Sequence, residues 1–486
     1  MFRQSAYNAE FVTVGRLHQE AGIQPQMRRR KITRAAKIII LGSFAAFYLS
    51  ACQTYSPAPL PQKPDLADRF PLPAGQALDM NVVATVAVLN NPDLKAARFK
   101  AGVSDAQAFE AGILPNPQLT GELIIPTNQS PAPPETEPEG GTGYMLGLSY
   151  DIQALIIQGA KVASAEAARD QAKLQLLWQE WQTVAQARTL YVQDAIAAEK
   201  RAFYGVAEQR YAMQSERSER ALQTRDITFD QAGTDLAALL DAQSQLRTAE
   251  RTETQTAYNI RTLLGISQNV DVTLQPLGPP DIPDRAAVEA ALARVAELRP
   301  DLRALRAGYE SQEQSLREAV LAQFPSFSFG LTRLTDTPGD RSDIGRVVHA
   351  ISIGATLNLP LFDRNQGNIA IQKATRAQLL AEYQARLDQA TGDAWRIWNE
   401  MQQLNDAIRE IEARLPELQT AANDAERAYM MGDLPALTYV TLQSAVLNRQ
   451  SELSDLRQSL WNDEIALATI LGTQVEPVTD LKEPLP

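Results

Sequence analysis

The side chains that most often do chemistry are scarce in this chain. Its 486 residues include one cysteine, Cys52, and two histidines, His18 and His349. A zinc or copper centre needs several thiolate or imidazole ligands converging on one point, so such a site is almost excluded. A triad that uses histidine as its base is almost excluded for the same reason. A lone cysteine also rules out an intramolecular disulfide. Carboxylates are abundant, but they fall on helix faces in the pattern of solvated charge, which argues against an enzyme. Three of them, Asp226, Asp230 and Asp235, follow closely on a tight turn at Gln223-Thr224-Arg225-Asp226-Ile227. Carboxylates from several copies could ring an entrance there. The step of five from Asp230 to Asp235 does not keep both on one helix face, and a solvated helix face is the alternative reading.

The position of Cys52 carries more information than its chemistry. Arg28, Arg29, Arg30, Lys31, Arg34 and Lys37 form a basic stretch, and the apolar run Ile38–Tyr48 follows. That run is too short to cross a bilayer as a helix. It closes on Leu49-Ser50-Ala51-Cys52, which resembles the lipobox of bacterial lipoproteins. The resemblance implies that residues 1–51 are an export signal and that Cys52 carries a covalent lipid. A signal anchor with an incidental cysteine is the other reading. Met1–Gln26 has no place in such a signal, so translation is expected to start at Met27. Residues 1–51 hold 8 of the 46 basic and 2 of the 58 acidic residues; the remainder therefore carries 38 against 56, a formal charge of −18. Such a chain will not hold nucleic acid through a basic field. If it enclosed a pore, the pore would favour cations over anions.

Long helices must position these residues. Gly159–Thr224 is 66 residues without proline, rich in Ala, Gln, Glu, Arg and Leu. As one helix it would span ~99 Å. Its apolar seam reads Leu174, Leu177, Trp181, Val184, Tyr191, Ala195, Ala198, Ala202 and Gly205, with Arg188 out of pattern. That spacing is the mark of helices wound around each other. The second half of the chain repeats the first. Asn91-Pro92-Asp93-Leu94 matches Arg299-Pro300-Asp301-Leu302 at an offset of 208, and Leu263-Leu264-Gly265 matches Ile470-Leu471-Gly472 at 207. The expected parts are a lipidated linker 52–76, a first repeat 77–275, an inter-repeat linker 276–285, a second repeat 286–472 and a tail 473–486. Each repeat holds a helix (Ala77 to Ile113 in the first), a strand pair, a long helix and a further helix. The strands are predicted at 117–125 and 144–152, then 325–333 and 348–359. The long helices are predicted at 159–224 and 367–431, and the further helices at 228–265 and 436–472.

The strands alternate most clearly. Phe327, Phe329 and Leu331 alternate with small polar residues, as do Ile351, Ile353 and Leu357, and as do Leu146, Leu148 and Tyr150. Period-2 alternation with so apolar a face suits a sheet between lipid and water. A half-buried soluble hairpin gives the same pattern in any single strand. Pro-rich and charged segments join the paired strands, whereas the turns at the other end are tight. There the second turn, Met431-Gly432-Asp433-Leu434-Pro435, is followed by the uncharged Thr438 and Thr441. Asp433 is expected to cap the next helix and Pro435 to sit in its first turn.

At this point the chain resembles the TolC family of bacterial outer-membrane efflux channels. The residues that carry the resemblance are Asn91-Pro92-Asp93-Leu94 and its repeat, Leu114-Pro115, Leu359-Pro360-Leu361-Phe362-Asp363-Arg364, the turn at Gly432 and the closing Ile470-Leu471-Gly472. The resemblance implies a mainly α fold with a small β part, in which a long coiled-coil barrel carries a transmembrane β-barrel. Each protomer of a homotrimer would give four strands to a barrel of twelve. It implies a passive exit duct in the outer membrane, without catalytic residues, metal or cofactor beyond the lipid on Cys52. A periplasmic adaptor would meet the tips at Arg225, Asp226, Ile227, Gly432, Asp433, Leu434 and Pro435, and an inner-membrane pump of the RND type would supply the energy. Phe327, Phe329, Leu331, Ile351, Ile353, Leu357, Leu146, Leu148 and Tyr150 would face lipid. A duct for protein secretion and a lipid-anchored periplasmic scaffold are the alternatives.

Overall fold

The computed structural model describes residues 55–67, 77–125, 140–338 and 348–473. The chain divides into two units, Met1–Asp65 and Leu66–Pro486. Of the first, residues 55–65 are described; they are exposed and contain neither helix nor strand. The expected signal region, Met27, Cys52, most of both strand-connecting loops and nearly all of the tail lie outside the described residues.

The second unit opens with α1 (Met80–Asn90) and α2 (Pro92–Gly112). This corrects the expectation of one helix from Ala77 to Ile113. Proline disfavours helical geometry in the residue before it, and Asn91 leaves the helix at φ −53°, ψ 126°. The Asn91 carboxamide oxygen then accepts from the Leu94 amide at 3.0 Å and starts α2. The second half breaks in the same way. Its opening helix is divided into α5 (Arg285–Leu292), α6 (Val295–Leu298) and α7 (Pro300–Leu321), with the last break at Arg299-Pro300.

Four strands follow the opening helices of the two halves: β1 (Gln118–Ile124) and β2 (Gly140–Asp151), then β3 (Ser326–Pro338) and β4 (Val348–Asn358). They form one antiparallel sheet in the order β1-β2-β3-β4. Leu119, Leu148, Leu331 and Ile353 stand opposite one another across it, as do Tyr150, Phe329 and Ala355. One face therefore gathers the apolar residues of all four strands. The other carries Thr120, Gly147, Thr332 and Ser352 in one rank.

The long helices are α3 (Ile152–Thr224, 73 residues) and α8 (Gln366–Met431, 66 residues), ~110 and ~99 Å in length. α3 starts at Ile152 rather than Gly159, because Asp151 caps it directly at the end of β2, accepting from the Gln153 amide at 2.9 Å. α4 (Phe229–Leu263) and α9 (Ala436–Leu471) return from the tips. α3 packs along α2 and α4 on its own half and along α7 and α9 of the other.

Of the seam inferred from sequence, Tyr191 is buried, Ala202 is exposed and the other members are half-buried. One column of α3 is buried throughout, Thr183, Leu190, Ala197, Tyr204, Tyr211 and Ser218 in a strict repeat of seven, and Ala187, Val192, Ile196 and Ala207 are buried beside it. Arg188 is also buried, and its Nη2 donates to Asn81 Oδ1 at 3.1 Å. The Ala-rich sequence offers small residues at adjacent positions, so composition did not distinguish the column that neighbours cover.

The repeated motifs meet one another. Gly265 and Gly472 end α4 and α9 in left-handed geometry, at φ 61° and 73°. A Cβ on Gly265 would lie 2.6 Å from the Asn90 carbonyl oxygen, and one on Gly472 would lie 2.8 Å from Leu298 Cβ. Each glycine thus receives the helix break of its own half. Asn91 Nδ2 closes the first junction by donating to the Leu263 carbonyl at 3.1 Å. The duplication preserves this docking of a broken helix on a helix end.

Candidate functional site

Two regions of the second unit could act: the sheet at one end of the long helices and the tips at the other. On the apolar face of the sheet, Leu119 is 70% exposed, Ile351 74%, Ile353 70% and Leu357 54%. Leu146, Leu148, Phe327, Phe329 and Leu331 are exposed as well, and Tyr150 is half-buried. No other element of the described chain covers this face. β1 and β4 are the two edges, and neither finds a second partner among the described residues.

At the first tip α3 ends with Arg225 in left-handed geometry at φ 64°, and the Asp226 amide donates back to the Ala221 carbonyl at 2.8 Å. Thr228 and Gln231 form a reciprocal capping pair that starts α4. At the second tip Gly432 plays the part of Arg225 at φ 84°, and the Asp433 amide reaches the Ala428 carbonyl at 2.9 Å. The expected capping is corrected here. Pro435 itself is the N-cap of α9, which has no side-chain cap bond from Asp433. Arg225, Asp226, Gly432, Asp433 and Pro435 are exposed, whereas Ile227 and Leu434 are half-buried.

The acidic group separates. Asp226 and Asp230 are exposed, with Thr224 Oγ1 donating to Asp226 at 2.5 Å. Asp235 is fully buried and cannot line an entrance. Its Oδ2 accepts from Ser218 Oγ, from the Tyr429 hydroxyl at 2.9 Å and from Gln214 Nε2 at 3.3 Å. Tyr429 also accepts from Gln214 at 2.7 Å. The Tyr429 ring stacks on Tyr439, with centroids 4.9 Å apart and planes 2° from parallel. Burial pushes the phenols of Tyr429 and Tyr439 above their ordinary range. This polar knot joins α3 and α4 of one hairpin to α8 of the other. A second tie lies nearby, where Arg210 donates to Gln443 at 3.2 Å and Gln443 to the Ala422 carbonyl at 3.1 Å. Sequence reasoning missed the knot, although a signal was present. Asp235 shares the seven-residue column of Ala242, Ala249 and Thr256, all buried. Ser218 ends the corresponding column of α3.

Among the described residues no group of carboxylates, imidazoles or thiols is arranged to hold a metal ion, and no helix is long and apolar enough to cross a membrane. A one-faced sheet is thus carried at one end of two antiparallel helical hairpins whose long arms run ~100 Å. Residues 291–473 match the model of the outer membrane efflux protein family. The fold is similar to that of the Campylobacter jejuni CmeC outer membrane channel, with a TM-score of 0.67 and 16% identity over 83% of this chain and 87% of that one. The outer membrane protein VceC of Vibrio cholerae gives 0.65 and 18% over 81% and 96%. The open state of the Neisseria gonorrhoeae MtrE outer membrane channel gives 0.60 and 18% over 81% and 88%. No curated protein matches the chain in sequence. The match to the outer membrane efflux protein family thus lies in the second half of the chain, and the chain has a fold similar to that of these outer-membrane channels.

Proposed function

We propose that three copies of this chain form a passive exit duct of a tripartite export system for small molecules, with Cys52 lipidated and the strands seated in the outer membrane. The observation that carries the reading is the sheet: four strands with one exposed apolar face and two unpaired edges, borne on hairpins long enough to cross a periplasm. An open edge cannot persist in lipid, because nothing there satisfies its backbone groups. Copies must therefore join edge to edge, and the apolar face then meets the hydrocarbon. A water-soluble scaffold would instead leave Leu119, Ile351 and Ile353 facing water.

The exposed turns at Arg225–Ile227 and Gly432–Pro435 are the surfaces a periplasmic adaptor would meet, and the adaptor would link the duct to an energised inner-membrane pump of the RND type. Separating the hairpins to widen the tip would break the Asp235–Tyr429 and Arg210–Gln443 ties. The test is reconstitution. Purified full-length protein is expected to sediment as a trimer in detergent and to form conducting, cation-preferring pores in planar bilayers. A monomer that never conducts would refute the reading.

A further inference from the structure

The two halves differ where strand becomes helix. In the first, β2 runs into α3 without a connecting residue. In the second, Leu359–Asn365 forms an elbow between β4 and α8. The elbow is tied by hydrogen bonds: Asn365 adopts φ 59°, its side chain donates to the Ala319 carbonyl at 2.8 Å, and Gln366 Oε1 accepts from the Arg364 amide at 2.6 Å. Yet its apolar side chains point away from the chain. Leu361 is 69% exposed and Phe362 94%, more than any other large apolar residue described. Beside them lies a cleft of about 560 Å³ lined by Phe362, Arg364, Lys373, Gln323, Gln366 and Ile369. Arg364 and Lys373 bring two positive charges to this cleft, and no carboxylate lines it. Neither side chain makes an ion pair or hydrogen bond among the described residues, whereas the next cation along α8, Arg376, pairs with Glu313 at 3.2 Å.

The level of the elbow identifies what such a cleft would take. Leu359 continues the apolar file of Ile351, Ile353 and Leu357 beyond the end of the sheet. From Ile351 to Leu359 the file runs ~26 Å along the strand. Tilted as strands are in a barrel, it fills most of an apolar band ~25 Å tall. The elbow lies just past the helical end of that band, at the depth of phospholipid head groups. An exposed phenyl beside two unpaired cations at that depth matches an anionic phospholipid, with its acyl chains against the ring and its phosphodiester between the charges.

We propose that the elbow holds the head group of an anionic phospholipid of the periplasmic leaflet, its phosphate between Arg364 and Lys373 and its chains alongside Phe362. The proposal rests on the outer-membrane seating proposed above and deepens it. It gives each copy one lipid site, in the second repeat alone.

The trimer is reconstituted into nanodiscs of phosphatidylethanolamine and phosphatidylglycerol, released, and weighed by native mass spectrometry. The wild type should retain phosphatidylglycerol about tenfold over its share of the bilayer, and Arg364→Ser/Lys373→Ser should retain it at parity. Equal retention by both proteins overturns the proposal. Excess inorganic phosphate should leave the retained lipid in place; its displacement would assign the cleft to free phosphate instead. A nitroxide on Phe362→Cys, in a Cys52→Ser background, should be reached by oxygen and not by a water-soluble relaxant. Shielding from both would place Phe362 against a neighbouring copy and also overturn the proposal. Conductance of the same preparations separates the two ideas. A conducting trimer without lipid preference rejects the elbow site alone, and a silent monomer rejects the duct and the site together.

Discussion

Replacing Tyr429 by Phe removes one oxygen from the knot at the tips and little else. The stacked ring pair with Tyr439 keeps its shape, so packing between α8 and α9 is preserved. The lost hydroxyl donates to Asp235 Oδ2 at 2.9 Å and accepts from Gln214 at 2.7 Å. Asp235 is fully buried, its other oxygen has no partner, and no cation bonds to it. Water cannot replace the missing donor without opening the interface. Leaving a buried acceptor short of a donor costs ~1–3 kcal/mol, and a loss near 2 kcal/mol multiplies a local opening constant about thirtyfold. Hydrogen exchange should therefore accelerate by roughly that factor at amides near Tyr429 and Tyr439, while amides beside the Gly265 and Gly472 junctions keep their rates. Exchange within about threefold of wild type at Tyr429 would refute the claim that this hydroxyl ties the hairpins.

Three further outcomes follow from the same structure. Arg225→Gly should stabilise the first tip by ~1 kcal/mol, since an L-residue there bears the strain of left-handed geometry that its counterpart Gly432 avoids; an unchanged midpoint of thermal unfolding would count against this. Gly472→Ala should destabilise by ~2 kcal/mol or more, because it adds that strain to a clash with Leu298, whereas Gly233→Ala, which meets nothing within 4 Å inside α4, should stabilise by ~1 kcal/mol; equal melting shifts would refute the junction argument. Burial pushes the Glu464 carboxyl up to about 7, against an ordinary 4.5, despite its bond from the Asp281 amide. The folded state then keeps a proton that the unfolded chain releases earlier, so stability falls as pH rises from 4.5 to about 7 and is untouched below. Glu464→Gln should match wild type at acid pH and exceed it above neutrality by ~1 kcal/mol after allowance for partial exposure, and parallel denaturation curves across that window would contradict it.

What the chain discloses before folding depends on contrast between neighbouring positions. Phe327, Phe329 and Leu331 stand beside serine and glycine, so their shared face is plain from order alone, and the register adds only which residues meet across strands. In α3 the contrast fails. Ala195, Ala197 and Ala198 are similar in size, and only the neighbours on two sides decide that Ala197 is covered. The motif Asn91-Pro92 was visible as a repeat, but its effect is local and steric. It breaks a helix that composition would continue, and the matching Gly265 is needed to receive the break. Asp235 failed for another reason. A carboxylate on a helix reads as solvated unless its partners are known, and Tyr429 lies 194 residues away.

The sheet also constrains how copies can meet. It holds an even number of strands in a simple meander, so β1 and β4 run in opposite directions. When β4 of one copy is laid against β1 of the next, the antiparallel alternation continues without a fault, and every added copy presents the same free edge again. Such a head-to-tail contact closes only if the rotation between copies returns to its start. The strands alone do not choose that rotation. The helices must, and they have surface left for it: Phe99, Val103 and Phe109 of α2 are 81, 56 and 74% exposed, and Phe229, Leu236 and Leu240 of α4 are likewise uncovered. These positions lie on α2 towards the strands and on α4 towards the tips, so in the proposed duct the number of copies would be set along the length of the rods and the proposed barrel would inherit it.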